Sequence, residues 1–216
     1  MHSEKAVTAD FSISSSIYHV IKRSFDIIVS ALGLIISSPI FLIVIIAIKL
    51  ESKGPAIFTQ ERIGKDGNTF KLYKFRSMVM DADKILFDLL EKDLDMTREY
   101  KLNKKLKNDP RITKVGKFIR KTSIDELPQL VNVLFGEMSL IGNRPYLPRE
   151  KEDMGKYYDD IVKTKPGITG YWQVSGRSET TFEERLKMEA EYSNQSSMKL
   201  DLKIFFKTFI VLFKGQ

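Results

Sequence analysis

Asp125 and Glu126 are adjacent carboxylates placed between a basic run ending in Arg120 and Lys121 and an apolar segment at helical spacing, Leu127, Leu130, Val131 and Leu134. An oriented carboxylate in such a place can cap a helix, bind a metal or attack an electrophile. Ser123 and Glu126 have the spacing of a capping box, which would start a helix at Ile124. Pro128 favours a later start with Asp125 as the cap, because proline fits only the first helical turn. Either start puts Asp125 where free backbone N–H groups and the positive dipole end favour an ionised side chain.

Composition narrows the chemistry. The 216 residues contain no cysteine, which removes disulfides, thiol nucleophiles and Cys-ligated zinc. Both histidines, His2 and His19, precede the main apolar run, which argues against a His-based triad or zinc site. With 43% hydrophobic and 29% charged residues, a packed core is expected. The net charge of +7 is concentrated in residues 101–121, where nine Lys or Arg face the single acid Asp109. Such a block suits nucleic acid, anionic lipid or a phosphorylated substrate, and charge alone does not choose among them.

The elements that must position this chemistry start from a membrane segment. Residues 1–20 are polar and serine-rich and are expected to form a mobile leader. Residues 27–48 carry no charge and are rich in Ile, Leu and Val. At helical rise they span about 33 Å, against a hydrocarbon core of roughly 30 Å. Ser37-Ser38-Pro39 interrupts the middle of this run, and basic residues flank both ends: Lys22 and Arg23 before, Lys49 and Lys53 after. The positive-inside tendency puts both flanks in the cytoplasm. A re-entrant helix-break-helix over 21–53 and a kinked span are both open on these features.

Beyond Gly54-Pro55 the pattern becomes that of a β-hairpin, with Asp66-Gly67 at its turn. Residues 81–106 read as one or two amphipathic helices, and the pairs Asp81/Asp83 and Asp93/Asp95 on them read as solvated surface rather than metal ligands. Further along come Arg144 in a Gly/Pro-framed loop and a glycine-rich loop, residues 165–177, that holds the only tryptophan, Trp172, and ends at Arg177. Such a loop suits backbone approach to phosphate. Residues 201–214 are apolar with lysine punctuation, suited either to the membrane interface or to the core.

The run Lys114-Val115-Gly116-Lys117-Phe118-Ile119-Arg120-Lys121-Thr122-Ser123-Ile124-Asp125-Glu126-Leu127-Pro128-Gln129-Leu130 resembles the signature of the bacterial sugar transferases, the monotopic polyprenyl-phosphate phosphoglycosyltransferases. The likeness extends over nearly the whole chain from about Tyr18. It takes in the Ser-Pro interruption, Gln60-Glu61-Arg62-Ile63-Gly64, Phe75-Arg76-Ser77-Met78, Asp109-Pro110-Arg111-Ile112-Thr113, Arg144-Pro145 and the 166–177 loop. One departure is Asn143, where the family usually has proline; it is expected to loosen that loop.

The resemblance implies an α+β, mostly α fold. Its parts would be the leader, a re-entrant membrane helix hairpin over 21–53, a compact cytosolic catalytic domain over 54–200 containing a small β-hairpin, and an amphipathic interfacial helix over 201–216. It implies a short form of the enzyme on the cytoplasmic face of the bacterial inner membrane. Asp125 would attack the β-phosphate of a UDP-sugar, expelling UMP and leaving a phosphosugar on the enzyme. Polyprenyl (undecaprenyl) phosphate would then take the phosphosugar, the first membrane step of exopolysaccharide, capsule or O-antigen assembly. Mg²⁺ held by Asp125 and Glu126, with Arg120, Arg144 and Arg177 on the phosphates, would offset the repulsion between anions. Glu126 would bind the metal or move a proton. The loop Trp172-Gln173-Val174-Ser175-Gly176-Arg177-Ser178 is closer to members using UDP-galactose or UDP-glucose. The implied partners are the donor, the lipid acceptor and the membrane, with no nucleic acid; a homodimer is compatible with the family.

Overall fold

The computed structural model describes residues 2–104, 106–176 and 180–214, with side chains placed between 16 and 211 of that set. It is mostly α with two small sheets. Helix α1 (His2–Glu51) takes in the polar stretch read as a leader and the whole apolar run. Among the described residues it is the helix long and apolar enough to cross a membrane.

The amphipathicity of α1 is inverted. Its buried stripe is polar or small over most of its length (Asp26, Ser30, Ser37, then Val44 and Ile48), while Ile28, Leu32, Ile35, Ile36, Leu42, Ile43, Ile46 and Leu50 are exposed. A helix of a water-soluble domain does the reverse. The backbone stays helical through Pro39, so the helix is not interrupted there. Pro39 cannot donate to the Ile35 carbonyl, and the Ser38 hydroxyl donates there instead at 2.8 Å. Both ends of the apolar run are tied to one body. Arg23 donates to the Val133 and Leu134 carbonyls at 2.6 and 2.8 Å, and the Glu51 carboxylate accepts the backbone N–H groups of Lys114, at 2.7 Å, and Val115.

Strands β1 (Ile57–Ile63) and β2 (Thr69–Phe75) pair antiparallel, with Asp66 and Gly67 both at positive φ in the turn, as an Asp-Gly hairpin requires. The amphipathic stretch forms α2 (Ala82–Lys92) and α3 (Leu94–Asn103). Asp93 caps α3 by accepting from the Asp95 and Met96 backbone, and Asp83 is exposed, so the Asp-x-Asp pairs are helix-end surface. Helices α4 (Lys114–Lys121) and α5 (Gln129–Phe135) lie between α1 and β2, with Leu130 of α5 against Gly33 of α1. Gly136, at φ 85°, ends α5 in the left-handed conformation that favours glycine.

Strand β3 (Ser139–Ile141) pairs in parallel with β4 (Gly167–Thr169), and the two short helices between them are α6 (Lys151–Met154) and α7 (Tyr158–Ile161). The glycine-rich stretch folds as β4 followed by a short helix, α8 (Tyr171–Ser175), rather than an open loop. Helix α9 (Phe182–Gln195) follows a Thr181–Glu184 capping box. Helix α10 (Met198–Lys214) combines both expectations for its sequence: Ile204 is in the core, while Phe206, Phe209 and Ile210 are exposed. Its Asp201 meets Lys22 of α1 at 2.5 Å and the Tyr192 hydroxyl of α9 at 2.8 Å.

Candidate active site

Two backbone features place Asp125. Thr113 caps α4 by accepting from Gly116 N at 2.9 Å, and Gly116 lies so close to the Ser77 carbonyl that a Cβ there would collide with it. That approach brings Arg120 Nε to the Ser77 hydroxyl at 2.8 Å. The chain then reverses through Ser123 in the left-handed region, φ 56°, into a 3₁₀ turn over Ile124–Glu126. Helix α5 begins only after Pro128, and neither Ser123 nor Asp125 caps it through a side chain. The capping-box expectation is therefore corrected: without an N–H, Pro128 fits the start of α5, and the two carboxylates fall in the turn before it.

Asp125 is 8% exposed. Burial pushes its carboxyl up to about 6, against the attraction of Lys74 and Arg120 and with the repulsion of Glu126. Glu126 goes the other way. Burial opposes its ionisation, but the Lys74 ammonium, 2.8 Å from Oε1, outweighs this and holds it below the ordinary glutamate range, with Arg144 and Gln129 helping. Burial lowers the Arg120 pKa, and Asp125 counters the effect.

At Glu126 opens a cleft lined also by Arg62, Lys74, Gln129, Arg144, Pro145 and Gln173, among others. Asp125 and Arg120 are not among its lining residues. Arg62 donates to the Pro145 carbonyl at 3.0 Å, and burial together with the Arg144 charge brings its pKa down to about 10. Guanidiniums crowded against one another in this way favour an anion between them.

The structure thus brings Asp125, Glu126 and Arg120 into one group and sets Arg144 near Glu126 in the cleft. Arg177 lies outside the described residues. Of the basic run, Arg111 is consumed by a buried ion pair with Asp109, Nη2 to Oδ2 2.6 Å, while Lys114, Lys117 and Lys121 face solvent. Sequence reasoning gave no site role to Lys74, Arg62, Gln129 or Gln173, and passed over α9. For Lys74 a signal existed, since strand alternation puts it on the same face as buried Leu72, an odd place for a lone cation. For α9 the signal was Thr181-Phe182-Glu183-Glu184, a capping box.

Among the described residues no three Asp, Glu or His side chains converge to cage a metal. Mg²⁺ is commonly held by only one or two carboxylates, with substrate phosphates completing the shell. Asp125 and Glu126, adjacent and mutually repulsive, fit that mode.

Residues 17–215 match the family described as bacterial sugar transferase. The chain is 46% identical over 191 residues to the undecaprenyl-phosphate galactose phosphotransferase of Salmonella typhimurium, covering 87% of this chain and 39% of that protein. It is 40% identical over 210 residues to the UDP-glucose:undecaprenyl-phosphate glucose-1-phosphate transferase of Escherichia coli, covering 93% and 41%. It is 40% identical over 187 residues to the exopolysaccharide production protein ExoY of Sinorhizobium fredii, covering 87% and 83%. The chain thus spans about two-fifths of the length of the first two relatives and most of the third. The match runs through the Asp125–Glu126 turn, the cleft and both apolar helices, and this chain belongs to the bacterial sugar transferase family.

Proposed function

We propose that this chain transfers a hexose 1-phosphate from UDP-galactose or UDP-glucose to undecaprenyl phosphate, releasing UMP, with Asp125 as the nucleophile. The observation that carries this reading is the pairing of a buried, cation-flanked Asp125 with an adjoining arginine-lined cleft in a member of this family.

In the first step an Asp125 carboxylate oxygen bonds to the β-phosphorus, and the bond from that phosphorus to the bridging oxygen breaks. UMP leaves with the bridging oxygen, and a phosphosugar remains on Asp125 as an acyl phosphate. In the second step an oxygen of the lipid phosphate attacks the same phosphorus and frees the carboxylate, giving a polyprenyl-diphosphate-sugar. Arg120 beside Asp125, and Arg144 and Arg62 in the cleft, supply charge-assisted donors for the phosphoryl oxygens. Lys74 restrains Glu126 and keeps Asp125 ionised near neutrality. Mg²⁺, when held by Asp125 and Glu126, would supply charge neutralisation of the diphosphate.

Helix α1 supports a membrane placement. Its exposed aliphatic face suits lipid, and both flanks of its apolar run dock on the same body through Arg23 and Glu51. A crossing helix would send the two flanks of the run to opposite sides, so we read α1 as bending at Pro39 while staying helical, entering one leaflet with Pro39 deepest and both flanks at the cytoplasmic surface. Helix α10, with Phe206, Phe209 and Ile210 outward, would lie at the interface. That arrangement holds the Asp125 turn near the phosphate of a lipid acceptor.

The experiment is Mg²⁺-dependent UMP release in liposomes containing undecaprenyl phosphate. UMP from UDP-galactose or UDP-glucose is expected; silence with both, and with the common UDP-hexosamines, would refute the enzymatic reading.

A further inference from the structure

We propose that Asn143 and Glu189 are positioning residues for Arg144, fixing its loop against α9 so that the guanidinium stands in the cleft. This rests on the reading of Arg144 as a phosphate-binding residue. At the level of sequence, asparagine in place of proline was expected to loosen this loop. The structure has the opposite arrangement. Asn143 is 3% exposed, and its Nδ2 donates to the Ser193 hydroxyl at 2.6 Å, to the Ile161 carbonyl at 3.1 Å and, more weakly, to Thr164 Oγ1 at 3.3 Å. Its own carbonyl accepts Gly167 N at 2.8 Å.

The neighbours of Asn143 are tied as well. Gly142 N donates to Thr169 O at 2.9 Å, Arg62 binds the Pro145 carbonyl, and Tyr146 O accepts Ile63 N at 2.8 Å. Arg144 N donates to Glu189 Oε1 at 2.9 Å. Glu189 is 1% exposed, and Ser193 lies one turn further along α9, so a single helix face holds both residues. The next turn back carries Arg185, whose guanidinium stacks 4.2 Å from the centroid of the Trp172 ring, on the segment that also brings Gln173 to the cleft. Arg185, Glu189 and Ser193 form a buried polar ladder linking two walls of the cleft. Once ionised, the buried Glu189 carboxylate also offsets the like charges of Arg144 and Arg185. Side chains that satisfy a loop's backbone in this way take up the rotational freedom that proline would otherwise remove.

The test is a double-mutant cycle between Asn143→Ala and Arg144→Ala, read as kcat/KM for UMP release and, in parallel, as UDP affinity by calorimetry. If Asn143 acts through Arg144, Asn143→Ala lowers both by about 10- to 100-fold in the native background, and by less than about twofold when Arg144 is already alanine. Equal losses in the two backgrounds, or no loss, would overturn the proposal. Should Asn143→Ala fail to fold, Ser193→Ala, which removes one acceptor, carries the same test with a smaller loss: non-additivity supports the pin and additivity overturns it. A chain that binds UDP but releases no UMP would sink the catalytic reading while leaving the pin to be judged on affinity.

Discussion

Lys74 Nζ lies 2.8 Å from Glu126 Oε1, joining a strand of the hairpin to the 3₁₀ turn that carries the candidate nucleophile. The ammonium draws on both carboxylates, but their environments differ. Asp125 is buried and its pKa is raised; Glu126, about a third exposed and directly paired, is held ionised. Two adjacent carboxylates with separated pKa values can take separate roles, one attacking and one remaining charged.

This separation predicts the pH profile. As the proposed nucleophile, Asp125 would have to be ionised, so kcat/KM should fall below about pH 6, by about tenfold per pH unit on the acid limb. Lys74→Met removes the largest influence holding that pKa down, so the acid limb should move to higher pH. An acid limb unmoved in the variant would separate Lys74 from Asp125.

Glu189 predicts a stability trend of unusual sign. Burial raises its pKa from 4.5 to about 7, so between these values the folded state holds a proton that the unfolded chain has lost. Stability should therefore decline as pH rises through that window, by at most about 1.4 kcal/mol per pH unit. Thermal unfolding in detergent should show the slope, and Glu189→Gln should flatten it.

The Asp109–Arg111 pair is buried on both sides, with Nε and Nη2 of Arg111 on the two carboxylate oxygens at 2.8 and 2.6 Å. Asp109→Ala leaves that guanidinium without its counter-ion, and a loss of about 3–5 kcal/mol in denaturant unfolding is expected. A cost below about 1 kcal/mol would mean that water reaches the site.

Topology can be read by labelling, because the chain has no native cysteine. Val20→Cys and Lys53→Cys, on the two sides of the apolar run, should both react only from the cytoplasmic face of inverted vesicles. Labelling of either from the opposite face would contradict the leaflet-entering arrangement. Pro39→Ala should bias α1 toward a straight crossing and increase such labelling.

Much of this was legible in the sequence, and the gaps have physical causes. The Asp66-Gly67 turn, the uncharged run and the Asp125–Glu126 pair stand out because each rests on local chemistry or periodicity. The start of α5 was misplaced because the capping-box spacing and the Asp125 cap both put it before Pro128, whereas the helix begins after that proline. Continuity at Pro39 depended on whether Ser38 would turn toward the Ile35 carbonyl, which is a rotamer choice. The loosening expected of Asn143 failed because its partners, Ile161, Thr164 and Ser193, are 18 to 50 residues away. Arg62 and Glu189 likewise gain their roles only when distant elements meet, and strand alternation sets Lys74 apart without naming Glu126 as its partner.

Intact-protein and peptide mass spectrometry of the enzyme, mixed with UDP-galactose or UDP-glucose and Mg²⁺ but no lipid acceptor, tests the central claim most directly. The account predicts a hexose-phosphate mass addition on the peptide bearing Asp125, discharged by undecaprenyl phosphate and absent from Asp125→Asn. Stoichiometric UMP release with the adduct on another residue, or undiminished turnover by Asp125→Asn, would contradict it.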